Sequence, residues 1–303
     1  MSLMNSLSVP KLWNWEAFAA CSNRNCLPSA FLQTLSRKRE RIRIGADSYC
    51  SPECFEEGAQ THLAELCRVG AEPRPSRRFR VPLGLLLLSR GVINQDQLQE
   101  ALKRQRSEEG RIGEILVRLG FASEDDVMAG VAAQWGYPVF SLRKHYLPLE
   151  IQLPGSLLAR HSILPVYYTK SSRKLMIGFV NGVDHGLLSA IEAMTETETV
   201  PCFITPSEFH EKLKSLTAER ESEEVSFDRV SSFLEMARIV QSYVVQVASE
   251  EARFSHCADQ IWCRISGRRH TLDLLFRLPT SSGHRIARPS LHKRPLAVAP
   301  SQF

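Results

Sequence analysis

Apolar and polar positions follow two different periods along this chain. From residue 82 to 134 apolar side chains recur every three or four positions, the spacing of a helix face: Leu83, Leu87 and Leu88, then Leu98, Ala101 and Leu102, then Ile112, Leu116 and Val117, then Val127 and Val131. The runs break at Gly91 and Gly120, where a helix that ends in a left-handed residue wants glycine. Asn94 and Ser123 are natural N-caps for the helices that follow. Gln97 completes a capping box with Asn94, and Asp126 forms a weaker variant with Ser123 that still suits the helix dipole. The pattern predicts two helical hairpins.

Downstream the period shifts. KLMIGFV (174–180) and VPCFITP (200–206) have strand length and composition, LLSAIEAM (187–194) has helical spacing, and SEFHEKLKSL (207–216) reads as a helix capped by Ser207 with Phe209, Leu213 and Leu216 on one face. Val230, Phe233, Leu234, Ala237, Val244, Val247 and Ala248 give a further helix its apolar stripe, and DQIWCRI and TLDLLFRL, separated by SGRRH, predict a β-hairpin.

The two hairpins are one segment written twice. Residues 82–105 and 111–134 align at a constant offset of 29, with identities at Gly84/Gly113, Leu87/Leu116, Gly91/Gly120, Asp96/Asp125 and Gln105/Gln134 and conservative pairs between them.

Composition divides the rest of the 303 residues. Residues 1–70 hold five of the eight cysteines, 71–80 form a Pro/Arg linker, 81–216 carry the repeats and an α/β part at 150–216, and 217–226 are a charged linker. Residues 227–278 form the helix and hairpin, and 279–303 a basic tail expected to be disordered. The net charge of +5 is mild, but basic residues cluster at Arg37–Arg43, at Arg74–Arg80 and after Gly283. Such runs are commonly solvated segments and less often anion or nucleic-acid contacts. No apolar run approaches the roughly 20 residues of a membrane helix, the longest being VPLGLLLL (81–88), and no secretory signal precedes the fold. The reading is cytoplasmic, where cysteines ask for a reason other than disulfides.

Cys21 and Cys26 (CSNRNC) and Cys50 and Cys54 (YCSPEC) make two pairs around the candidate strand RIRIG. Four thiolates suit tetrahedral Zn²⁺. Ser51 can cap a helix that starts at Pro52, putting Cys54 in the first turn. The arrangement resembles a treble-clef zinc finger, although four and three intervening residues depart from the usual two. Free buried cysteines are the alternative, and Cys67, Cys202, Cys257 and Cys263 read as packing residues. The expected class is α+β: tandem helical hairpins packed with a small α/β subdomain, a zinc-finger-like N-terminal module, and a C-terminal helix with a β-hairpin.

The tandem motif resembles the amino-terminal domain of type II secretion and type IV pilus assembly ATPases of the GspE and MshE kind. WGYPVFSL (135–142), LPGSLLARHSILPVYY (153–168) and the elements after them follow the order of that domain. In that family the motifs bind cyclic di-GMP, whose two-fold symmetry fits two equivalent hairpins. The resemblance implies a ligand set of Leu83, Gly84, Leu87, Leu88, Gly91, Leu98, Ala101, Leu102 and Gln105 from the first copy. From the second it implies Arg111, Ile112, Gly113, Leu116, Val117, Gly120, Val127, Val131 and Gln134. Gly84 and Gly113 are read as letting backbone amides approach the ligand. One departure matters: Pro82 stands where the family has Arg or Lys, a loss of about 1–3 kcal/mol of charge-assisted bonding unless Arg78 or Arg80 reaches back.

The family's motor needs a phosphate loop ending in Gly-Lys-Ser/Thr, and no Gly-Lys pair occurs in the chain. His210-Glu211 begins a metalloprotease pattern, but Lys214 stands at the second His. The expectation is a non-enzymatic regulatory or adaptor protein that binds cyclic di-GMP. Docking onto a secretion or pilus machine without nucleotide, and a nucleic-acid-associated zinc-finger adaptor, are the alternatives.

Overall fold

The computed structural model describes residues 21–26, 41–70, 80–143, 145–219, 224–267 and 271–278. The basic tail, all but Arg80 of the Pro/Arg linker, and Arg37, Lys38 and Arg39 of the first basic cluster lie outside the described residues. The architecture is α+β, built around two sheets.

The tandem segment folds as α2 (Leu83–Ser89), α3 (Gln95–Ser107), α4 (Ile112–Arg118) and α5 (Glu124–Trp135) around its own core of Leu87, Ile93, Leu98, Ala101, Ile115 and Leu116. The α/β part follows: α6 (Gly155–His161), β3 (Ile163–Thr169), β4 (Lys174–Phe179), α7 (His185–Thr195), β5 (Glu198–Phe203) and α8 (Pro206–Glu219). Its three strands lie in the order β3-β4-β5, antiparallel then parallel, with α7 as the crossover. Helix α8 starts two residues earlier than a Ser207 cap implies. Thr205, not Ser207, makes the cap: the Glu208 N–H donates to Thr205 Oγ1 at 3.4 Å, the Thr205 hydroxyl donates to Glu208 Oε2 at 3.0 Å, and Pro206 takes the first helical position. Ser207 donates instead to Glu124, at 3.1 Å from its N–H and 2.8 Å from its hydroxyl, tying α8 to α5.

The second sheet joins the two ends of the described chain. Its order is β2-β1-β7-β8-β9-β6, from β1 (Ile42–Ile44), β2 (Asp47–Tyr49), β6 (Glu224–Phe227), β7 (Glu251–Cys257), β8 (Gln260–Ser266) and β9 (Thr271–Arg277). Strand β1 runs parallel to β7, with Arg43 opposite Glu251 and Ile44 opposite Ala252. Helix α1 (Pro52–Gly70) packs on α9 (Phe233–Gln246) over a shared core that includes Phe55, Leu63, Met236, Val240, Ile261 and Phe276. The cysteine-rich segment and the C-terminal segment, read separately from composition, thus share one sheet and one core.

Three local readings change. The predicted hairpin is real, with Ser266 opposite Thr271, but it is two thirds of a three-strand meander: EARFSHC is strand β7. Helix α9 ends at Gln246, so Val247 is its C-cap and Ala248, at φ 49°, turns the chain toward β7. Strand β6 begins inside the charged segment read as a linker, because Val225 and Phe227 alternate with polar neighbours and pair with β9.

The second sheet is docked firmly on the α/β part. Cys257, Trp262 and Leu275 enter the core of that part, and Arg253 pairs with Glu196 at 2.5 Å. Arg160 pairs with Asp259, and the Ser156 N–H donates to Glu224 at 3.1 Å. Arg264, directly opposite Asp273, forks onto its carboxylate at 2.8 Å twice and also reaches Gln152 O at 2.7 Å. The Trp262 indole N–H donates to the same carboxylate at 2.8 Å. No described helix is long and apolar enough to cross a membrane.

Candidate functional site

Each hairpin turns in the same way because the same residues sit at its corner. Gly91 (φ 70°) donates to Leu88 O and Val92 to Leu87 O, both at 3.0 Å. Gly120 (φ 72°) donates to Val117 O and Phe121 to Leu116 O, both at 2.9 Å. These are matched Schellman ends, which a side chain in place of either glycine would strain. The second helices start on matched boxes as well. The Gln97 N–H donates to Asn94 Oδ1 at 2.9 Å and the Asn94 N–H to Gln97 Oε1 at 2.8 Å. The Asp126 N–H donates to Ser123 Oγ, and the Ser123 N–H to Asp126 Oδ2, both at 3.1 Å. The variant read as weaker closes fully, and the hydrogen bonds from Ser123 hold the Asp126 carboxyl below its usual range.

The copies also clasp each other. The Gln105 side chain donates to Gly110 O at 3.1 Å, just ahead of the second copy's first helix. The Gln134 side chain donates to Val81 O at 2.5 Å, just ahead of the first copy's. Donors and acceptors are each 29 residues apart, so the last residue of each motif holds the entrance of the other. Helix α2 packs on α5 and α3 on α4, which completes a pseudo-two-fold set of four helices.

The eighteen residues of the expected ligand set divide by exposure. Gly84, Leu87, Leu98, Ala101, Gly113 and Leu116 are buried. A Cβ on Gly84 would sit 2.6 Å from Leu98 Cδ1, and one on Gly113 2.7 Å from Val127 Cγ1. Both glycines therefore serve close packing of the two helices within a hairpin. Leu102, Arg111, Gly91 and Gly120 are exposed, while Leu83, Leu88, Gln105, Ile112, Val117, Val127, Val131 and Gln134 are half-buried.

Two features of this region lay beyond sequence reasoning. Gly130, the partner of Ala101, lets α2 approach: a Cβ there would lie 2.8 Å from Leu83 Cδ1 and 3.0 Å from Leu87 Cδ2. Arg80, one of the two arginines read as able to reach back toward Pro82, lays its guanidinium 3.2 Å over the ring of Trp135. The repeat alignment marks Gly130 as a small residue opposite another small one; nothing local marks the Arg80–Trp135 pair.

The four cysteines converge. Their sulfurs all lie within 4.8 Å of one another, with Cys26–Cys50 at 3.6 Å and Cys50–Cys54 at 3.8 Å. A tetrahedral cation about 2.3 Å from each sulfur spaces its ligands about 3.8 Å apart, so the donor set fits a metal ion. The segment 21–26 is fixed on β2 by the Ser22 N–H to Ser48 O (2.9 Å) and the Ser48 N–H to Ser22 Oγ (3.1 Å). Ser51 caps α1 as expected, accepting from the Cys54 N–H at 3.3 Å. Burial raises the Cys21 thiol, but backbone hydrogen bonds at Asn23 and Cys50 outweigh it and hold it below its usual value. Burial and the neighbouring thiols push Cys50 up to about 12. A dication in their midst would favour the thiolate form of all four.

Among the described residues this is the one such group. Cys67, Cys202, Cys257 and Cys263 lie apart from it as packing residues, the first pushed up to about 11 and the next two to about 12 by burial. His210 Nδ1 lies 2.7 Å from Pro206 O on the surface of α8, far from a metal-binding arrangement. Of the basic residues behind the nucleic-acid alternative, Arg41, Arg43 and Arg80 are among those described.

No protein-family model matches the chain. Over 129 residues it is 27% identical to the type IV pilus assembly ATPase PilB of Thermus thermophilus, covering 42% of this chain and 14% of that protein. Over 112 residues it is 30% identical to bacteriophage adsorption protein B of Escherichia coli K12, covering 36% of this chain and 15% of that protein. The chain thus spans about one seventh of the length of these relatives. Among solved structures it is similar to MshE determined with cdg, at 23% identity, 45% of this chain, 99% of that chain and a TM-score of 0.39. It is also similar to the N-terminal domain of XpsE, at 19% identity, 46% of this chain, 97% of that chain and a TM-score of 0.36. The likeness to a type IV pilus assembly ATPase agrees with part of the family resemblance drawn from the tandem motif.

Proposed function

We propose that this chain is a non-enzymatic, cytoplasmic regulatory or adaptor protein that binds cyclic di-GMP through the tandem hairpins and acts with secretion or pilus machinery. The observation behind this reading is the pseudo-two-fold set of four helices, held by reciprocal Gln105 and Gln134 clasps. A two-fold symmetric ligand with two guanines and two phosphates can meet each hairpin alike. In this reading the buried members of the motif shape the site, and contact falls to its exposed and half-buried members. Arg111 supplies a guanidinium for a phosphate or a guanine face, and Leu102 and Val131 supply apolar contact. Calorimetry of the full chain with cyclic di-GMP tests this. Submicromolar binding that Arg111→Ala weakens by at least about tenfold supports it, and no binding at about 100 µM overturns it.

Protein docking by the same helices is the second reading. Val81 and Leu85, one helical turn apart, are 55% and 52% exposed, and the second copy has Gly110 and Glu114 at those positions. Pull-down from a secretion-competent lysate that survives Arg111→Ala but not Leu85→Glu would favour docking.

We also assign the four cysteines to a structural Zn²⁺. Thiolate donors favour zinc, and four of them leave no position for a reacting water. Metal analysis of the purified chain, expecting one zinc per chain that is lost in Cys50→Ser, checks this.

A further inference from the structure

We propose that metal binding at the four cysteines controls whether the C-terminal sheet is closed by the cysteine-rich segment, a proposal that rests on the reading of the cluster as a metal site. The segment reaches the rest of the molecule at several places, His62 of α1 against Phe254 of β7 among them, with ring centroids 5.7 Å apart; two bear on the register of β1. One is the short ladder of β1 on β7, with the Arg43 N–H donating to Glu250 O at 2.9 Å. The other is the seam between α1 and α9, where Met236, Ala237 and Val240 of α9 are fully buried.

Strands β1 and β2 have three residues each. A two-stranded hairpin that short is not stable alone. The cysteines supply the missing constraint, because Cys50 follows β2, Cys54 lies in the first turn of α1, and Cys21 and Cys26 flank a segment hydrogen-bonded to β2. A single cation at that point fixes β1–β2 against α1, and with it the register of β1 on β7. Without it, β1 and β2 are held by the few ladder bonds to β7 and by Ile42, Ile44 and Tyr49 in the core shared with Phe55. Losing β1 makes β7 an edge strand with unpaired N–H and C=O groups, beside a helix whose apolar face has lost part of its cover.

The effect is local by construction. The tandem hairpins have their own core, whereas Cys257 of β7 sits in the core of the β3-β4-β5 part. Residues 95–118, whose buried side chains lie in the hairpin core, therefore keep their protection when the cysteine-rich segment loosens.

Hydrogen exchange on the full chain, before and after chelation with zinc content measured in parallel, tests the proposal. Amides of β7 and α9 are expected to exchange at least about tenfold faster after the metal leaves, with residues 95–118 unchanged and re-added zinc restoring protection. Unchanged protection in β7 after metal loss overturns the proposal, as does loss of protection along the whole chain, which would make the metal a general stabiliser. A chain that contains no zinc and takes up none instead refutes the metal reading beneath it.

Discussion

The first and second hairpins share backbone, caps and turn, yet they differ at their entrances. Helix α4 starts at Arg111, whose N–H donates to Glu114 Oε2 at 3.3 Å. Helix α2 starts at Pro82, which has no N–H to satisfy, and Leu85 stands where the second copy has Glu114. The two substitutions belong together: once proline removes the donor, a glutamate three residues on has nothing to accept. The first copy has exchanged a charged entrance for an apolar one while keeping the same turn and clasp. Packing and surface chemistry can therefore diverge independently inside one motif.

Deleting core side chains tests the shared part most strongly. Leu87→Ala and Leu116→Ala, both fully buried, should each cost about 2–5 kcal/mol in denaturant unfolding, by similar amounts; a large inequality would break the pseudo-symmetry. Next come the packing glycines. Gly113→Ala pushes against the stiff β-branched Val127, Gly84→Ala against the flexible end of Leu98. The first should cost about 1–3 kcal/mol and the second less, and equal costs would contradict the stated contacts.

The entrances separate the copies functionally. Under the proposed function, Pro82→Arg should tighten cyclic di-GMP binding about tenfold to a hundredfold by calorimetry, with Arg111→Ala losing a comparable amount. If Pro82→Arg leaves affinity unchanged, the first entrance does not face the ligand. Smaller still, Asn94→Ala and Ser123→Ala should each lower stability by about 1 kcal/mol.

Acid gives the finest distinction. The Asp126 carboxyl is held below its usual 3.8 by Ser123, so its contribution is present above that unfolded value and lost as pH falls through the lower folded one. Gln97, its counterpart, does not titrate. Amide exchange at Ser123 should rise below about pH 4 and that at Asn94 should not, and Asp126→Asn should erase the difference.

The hairpins were legible because their signals are local. Glycine at a left-handed corner and a capping pair three residues apart need no knowledge of the rest of the chain. The cysteine cluster was legible through spacing and the Ser51-Pro52 start, despite irregular intervals. The β1–β7 pairing was not, because EARFSHC carries more polar than apolar residues and its partner lies far back in the sequence. The Thr205 cap was missed because Ser207 offered an equally regular cap two positions later. The buried role of Gly84 and Gly113 was hidden for a different reason: a bare Cα reads alike whether a phosphate or a leucine lies against it.

Strand β1 leaves the ribosome long before the strand it pairs with. About 200 residues separate Arg43 from Glu251, so at roughly 5–20 residues per second the nascent chain carries β1 unpaired for about 10–40 s. The tandem hairpins and the β3-β4-β5 sheet, each built from near neighbours, can finish folding in that interval. A strand made late completes one made early.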